Sequence, residues 1–101
     1  MRVKLNQTIV THDWFDNEYS FKNGTEFDVV EAFEIVTLHS GKEIEIPNEM
    51  FDGDELRGIF FTEDGSMVKN EDIKIVEHFY EVQTLDKKWK ITVGVDKVDI
   101  C

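Results

Sequence analysis

The side chains of this chain that could move a proton or hold a metal are His12, His39, His78, Cys101 and a large set of carboxylates. His12 beside Asp13 offers a base with an orienting acid. Adjacent strand residues point to opposite faces, however, so the pair cannot converge on one substrate atom. The three histidines stand at unrelated places, with no H-x-x-x-H or C-x-x-C spacing to gather a transition metal. Asp52, Asp54 and Glu55 open like a calcium loop. The alternating ligands, central glycine and closing glutamate of an EF-hand are missing, which leaves a solvated acidic turn. Glu43 and Glu45 share a strand face, as paired glycosidase carboxylates would, but belong to a tight hairpin rather than a cleft. No G-x-G-x-x-G, P-loop or G-x-S-x-G run is present. The expectation is a non-enzymatic protein with no catalytic residue, cofactor or metal.

Charge then becomes the leading feature. The chain has 22 acidic against 11 basic side chains, a net of −11 over 101 residues. Such a surface repels nucleic acid and anionic lipid and attracts basic protein faces within about 10 Å at physiological salt. Alternate strand residues lie roughly 6.6–6.8 Å apart on one face, close to the phosphate spacing along one DNA strand. Glu26 with Asp28, and Glu43 with Glu45, therefore fit phosphate-like rows, and the series is expected to run on through Glu31 and Glu34. The stretch HDWFDNEY embeds Trp14, Phe15 and Tyr19 among Asp13, Asp16 and Glu18. Aromatic residues ringed by charge make interface anchors. Lys87, Lys88 and Lys90 form the one local basic cluster, a possible contact for an anion.

The elements that must position these groups read as strands. VVEAFEIVTL at 29–38 and IVEHFYEVQTL at 75–85 repeat one phrase. Residues 21–46 align with 68–93 when Thr25 and Tyr80 are left unmatched, and nine of the 25 pairs are identical. A duplication with a period near 47 residues follows. Phe27, Val29 and Phe33 share one parity, as do Ile73, Ile75 and Phe79, in windows rich in β-branched and aromatic residues. A helix over 26–36 is the competing reading. The extra Tyr80 would flip every later side chain unless absorbed, so a mid-strand bulge is expected there. LHSGKEIEIP and LDKKWKITV each read as a turn followed by an alternating strand, GIFFTEDGSMV as a hairpin about Asp64-Gly65, and VKLNQTIV as a further strand. Pro47 ends its strand, and 47–58 connects the copies with at most one helical turn.

Strand, turn, long strand, tight hairpin and short closing segment together resemble small SH3-like barrels, with VTLHSGKEIEIP similar to their central hairpin. The resemblance is architectural and implies no particular function. The expected fold is all-β, an SH3-like small barrel or pseudo-twofold β-sandwich. One compact domain is expected, built from repeats at about 10–52 and 57–101, without a Gly/Ser/Pro-rich linker. The start lacks a continuous apolar run and the single cysteine excludes an internal disulfide, so a cytoplasmic protein is expected. The favoured function is a binder of a basic, nucleic-acid-binding surface on a partner protein, of the kind that phages and mobile elements use as DNA mimics. The alternatives are a small-ligand or peptide receptor, including a nucleotide sponge, and a self-associating assembly module or homodimer.

Overall fold

A computed structural model describes all 101 residues, and it is all-β, with nothing helical beyond three 3-10 turns. The first half runs β1 (Arg2–Leu5), β2 (Ile9–His12), β3 (Glu18–Phe21), β4 (Glu26–Leu38) and β5 (Glu43–Pro47). A 3-10 turn at Asn48–Met50 then leads into β6 (Phe51–Asp52). The second half runs β7 (Glu55–Leu56), β8 (Phe60–Phe61), β9 (Met67–Val68), β10 (Ile73–Thr84) and β11 (Lys90–Gly94). A 3-10 turn at Val95–Lys97 then precedes β12 (Val98–Ile100). The remaining turn, Asn70–Asp72, introduces β10. Each half is thus a short strand, a hairpin, a long strand, its hairpin partner, a 3-10 turn and a closing strand. Segment 26–36 lies within β4, so the helical reading gives way to strand: β-branched and aromatic side chains there suit a pleated, half-buried surface.

The main sheet has the order β11-β10-β4-β1-β12, with β5 also paired to β4. Three two-stranded ribbons complete the structure: β2-β3, β6-β7 and β8-β9. The ends of the two halves exchange partners. β12 pairs antiparallel with β1, Leu5 opposite Val98, while β6 pairs with β7, Phe51 opposite Leu56.

The chain divides into two compact units, one of Met1–Glu31 with Tyr80–Cys101 and one of Ala32–Phe79. Each has its own core. The first packs Val3, Leu5, Phe27, Val82, Val93 and Val98; the second packs Val36, Ile46, Phe51, Leu56 and Val68. β4 contributes to both. The expected inward parity of Phe27, Val29 and Phe33 holds, with Phe27 and Val29 serving the first core, and then reverses, so that the even residues Val36 and Leu38 serve the second. In β10, Ile73 and Val76 enter the second core and Tyr80 and Val82 the first, whereas Ile75 is exposed.

Tyr80 is not expelled from the core: it packs against the first core with the inward parity of Val82. The extra residue sits in the hairpin turn instead. Leu38 N–H donates to the Lys42 carbonyl across three residues, and Thr84 N–H donates to the Trp89 carbonyl across four. A turn absorbs an insertion without reversing a face, whereas a strand cannot. The two turns also differ in backbone: the left-handed position is Gly41 (φ 90°) in one and Lys87 (φ 63°) in the other.

Candidate functional site

The β2–β3 hairpin presents the clearest site. Its register, Ile9 opposite Phe21 through His12 opposite Glu18, leaves residues 13–17 as the tip. Asp13 organises that tip. Its carboxylate accepts hydrogen bonds from Phe15 N–H (2.8 Å), Asn17 N–H (2.9 Å), Asn17 Nδ2 (3.1 Å) and the Tyr19 hydroxyl (3.3 Å). Partial burial pushes the Asp13 carboxyl up, but the bonds from Asn17, Phe15 and Tyr19 outweigh it and hold the group below its ordinary value of 3.8. Partial burial and then the Asp13 charge push the Tyr19 phenol up. Asp16 adopts φ 60°, a left-handed conformation that aspartate tolerates better than most residues.

The result is a stiff platform with two aromatic side chains in water. Trp14 is 100% exposed and Phe15 is 85% exposed. Tyr19, the third expected anchor, turns inward against Trp89, with ring centroids 4.3 Å apart. Asp16 and Glu18 are exposed beside the tip. In the second unit, the β8–β9 hairpin exposes Phe61 and its cross-strand neighbour Met67.

The expected carboxylate rows are partly realised. Glu43 and Glu45 stand exposed on β5 while Ile44 and Ile46 point inward. Glu26 is exposed, with the Cys101 thiol 3.6 Å from its Oε1. Asp28 is half-exposed and spends its charge on Arg2, Nε to Oδ1 at 3.5 Å. Glu31 is exposed, but Glu34 is only 1% exposed and displays nothing. It is the single buried carboxylate; the other 21 reach the surface at least in part. Their distribution is uneven. Ala32–Phe79 holds 12 acidic and 4 basic side chains, a net of −8, whereas the other unit holds 10 and 7, a net of −3. Lys87, Lys88 and Lys90 are exposed at the β10–β11 hairpin and the start of β11, in the less acidic unit.

A cluster that sequence reasoning missed lies in the acidic unit. His78 Nδ1 is 3.0 Å from Glu34 Oε1, and His78 Nε2 is 2.6 Å from Asp54 Oδ1. Asn48 Nδ2 donates to the same Glu34 oxygen at 2.6 Å, and Glu34 Oε2 is buried without a partner. Flanked by two carboxylates, the ring satisfies both contacts best as an imidazolium, which donates from both nitrogens. The bonds to Asp54 and then to Glu34 raise the His78 pKa above its ordinary 6.5, against the opposing effect of burial. Both nitrogens are engaged, so neither is free for a substrate proton or a metal. The members are 14 to 44 residues apart in pairs, and no local spacing announces them. The only sequence signal is a glutamate and a histidine at strand positions among core residues.

No helix is long and apolar enough to cross a membrane. Comparison with family models, curated proteins and solved structures finds no match to this chain.

Proposed function

We propose that this chain is a non-enzymatic protein-binding module of the cytoplasm that docks on a basic, nucleic-acid-binding surface of a partner protein. The observation that carries the reading is the β2–β3 tip, with Trp14 and Phe15 out in water on a turn locked by four bonds to Asp13. Leaving two large aromatic side chains in water is unfavourable by itself, and rigid aromatics are the residues that dominate binding energy once a partner covers them. Preorganisation removes part of the ordering entropy that binding would otherwise lose.

The charge specifies the partner. A net of −8 on Ala32–Phe79, with the Glu43/Glu45 row on an exposed strand face, attracts Lys- and Arg-rich surfaces and steers the encounter. Carboxylate spacing near that of DNA phosphates makes a nucleic-acid-binding enzyme the favoured class of partner, in the manner of a DNA mimic.

Capture from host lysate on immobilised wild type and on the Trp14→Ala/Phe15→Ala double variant tests the proposal. A basic protein should bind wild type, elute with salt or with added duplex DNA, and be depleted at least about tenfold on the variant. Equal recovery on both proteins would contradict it.

A further inference from the structure

A groove of about 700 Å³ lies within the first unit, walled by residues 9–14 and 89–94, with Lys97 also in its lining. Consecutive residues of both parities line each wall, so the backbone itself borders the groove. Both walls are strand edges: β2 pairs only with β3, and β11 ends the main sheet, paired only with β10. An unpaired edge offers a row of N–H and C=O groups ready to take another strand. β2 carries no proline or inward charge that would block pairing, and Val10 is 53% exposed on it.

The charge of the groove sets it apart from the rest of the chain. Residues 87–95, KKWKITVGV, carry three lysines and no carboxylate in a protein of net −11. Lys90 and Lys97 line the groove. Each makes one long ion pair with an acidic neighbour, Lys90 Nζ to Glu81 at 3.6 Å and Lys97 Nζ to Asp96 at 3.7 Å. Solvent-reached pairs of that length contribute little, and the more exposed Lys97–Asp96 pair exchanges most readily for an incoming carboxylate. Asp13, the one acid in the lining, is already engaged by its four bonds within the tip. The floor between the charges is apolar, with Ile9, Trp89, Ile91 and Val93.

The corresponding place in the second unit, between β5 and the β8 hairpin, does not share these properties. It measures about 310 Å³, is lined by Glu43, Glu63 and Asp64, and has Lys42 paired with Asp64 at 3.9 Å. Its hairpin strands have two residues each, against four in β2 and β3.

We propose that the β2–β11 groove binds an extended segment of a partner protein as an added strand, one in which aliphatic residues alternate with glutamate or aspartate. Main-chain bonds to the free edges hold the segment. Its aliphatic side chains rest on Ile9, Ile91 and Trp89, and its carboxylates meet Lys90 and Lys97. The four residues of β2 supply roughly 13 Å of edge, enough for a short recognition segment. The inference goes beyond the proposed function: the groove takes an acidic segment, whereas the tip and the acidic unit meet a basic surface.

The test is amide NMR of the full chain titrated with an acetylated peptide of about eight residues alternating valine and glutamate. Saturable 1:1 shifts confined to 9–13 and 89–94 are expected. N-methylation of alternate peptide residues, which removes strand pairing and keeps the charge, should weaken binding at least about tenfold. The Lys90→Gln/Lys97→Gln variant should weaken it about fivefold, and Phe15→Ala should leave it unchanged. The inference is overturned by equal binding of the N-methylated peptide, equal binding of a valine–lysine peptide, or shifts centred elsewhere. It is also overturned if ATP reproduces the shifts, which would mark a small-anion site. Shifts of 9–13 and 89–94 with protein concentration alone would overturn it too, because the occupant would then be a second copy. Because Phe15 lies outside the lining, failure of this inference leaves the docking reading standing, and the reverse holds for Lys90 and Lys97.

Discussion

Two carboxylates matter here for reasons unrelated to display. Glu34 is a buried acid whose charge is balanced by His78, itself held by Asp54 at the surface. Removing His78 would leave Glu34 with Asn48 alone, and an unsatisfied buried polar group costs about 1–3 kcal/mol. The His78→Leu variant should therefore unfold at lower urea concentration by roughly that amount near pH 6. The pH dependence has a definite sign. Because the folded pKa of His78 is raised above 6.5, its contribution is full below that value and is lost as pH rises through the folded pKa. The gap between wild type and His78→Leu should thus shrink as pH is raised through and above the folded pKa; a constant or growing gap would show that the ring is not the charged clamp described. Asp13 acts in the opposite direction, since its carboxyl is held below 3.8 and its bonds are lost as pH falls. An Asp13→Ala variant should speed amide exchange at residues 14–17 by at least about tenfold, while the cores, which lack Asp13, keep their protection.

The two hairpins that close the long strands show how an element absorbs a difference between otherwise parallel segments. The first turn spends a glycine, Gly41, on its left-handed position; the second, one residue longer, holds Lys87 there. A left-handed conformation costs a residue with a side chain about 1–2 kcal/mol. Lys87→Gly is therefore expected to raise the urea midpoint by an amount worth about 1 kcal/mol, while Lys88→Gly, which has ordinary φ, should not; an equal response of both would remove the backbone explanation. The β8–β9 ribbon and both long strands were legible from alternation and from turn residues: Ile44 and Ile46 inward, Glu43 and Glu45 outward, and a turn at Asp64-Gly65. The β2–β3 and β6–β7 ribbons were not: VKLNQTIV reads as one strand but breaks between β1 and β2, and 47–58 reads as a connector but holds a paired ribbon. The change of inward parity in β4 was not legible, because periodicity within one window cannot show that a strand serves two cores. The burial of Glu34 was hidden for a related reason, since its partners Asn48 and His78 come from distant segments. The site was half legible: Trp14 and Phe15 stand out among acids in the sequence, but only the hydrogen bond of Tyr19 to Asp13 and its packing on Trp89 separate it from them.

At the scale of the whole chain, the uneven charge is the property that acts over distance. With 22 acidic and 11 basic side chains, and all but one carboxylate at the surface, self-repulsion opposes folding and a basic face relieves it. Added salt from about 20 to 200 mM should therefore raise the stability of the free chain, as screening weakens repulsion over a Debye length, and the same salt should weaken its hold on a basic partner. These opposite responses separate functional acidity from acidity that serves only solubility. The most direct measurement is the affinity of the captured basic partner for wild type and for Phe15→Ala, each titrated from low to high salt. A steep loss of affinity with salt is expected for both proteins, with Phe15→Ala displaced to weaker binding by about tenfold or more at every salt concentration. Affinity indifferent to salt, or identical for the two proteins, would contradict it.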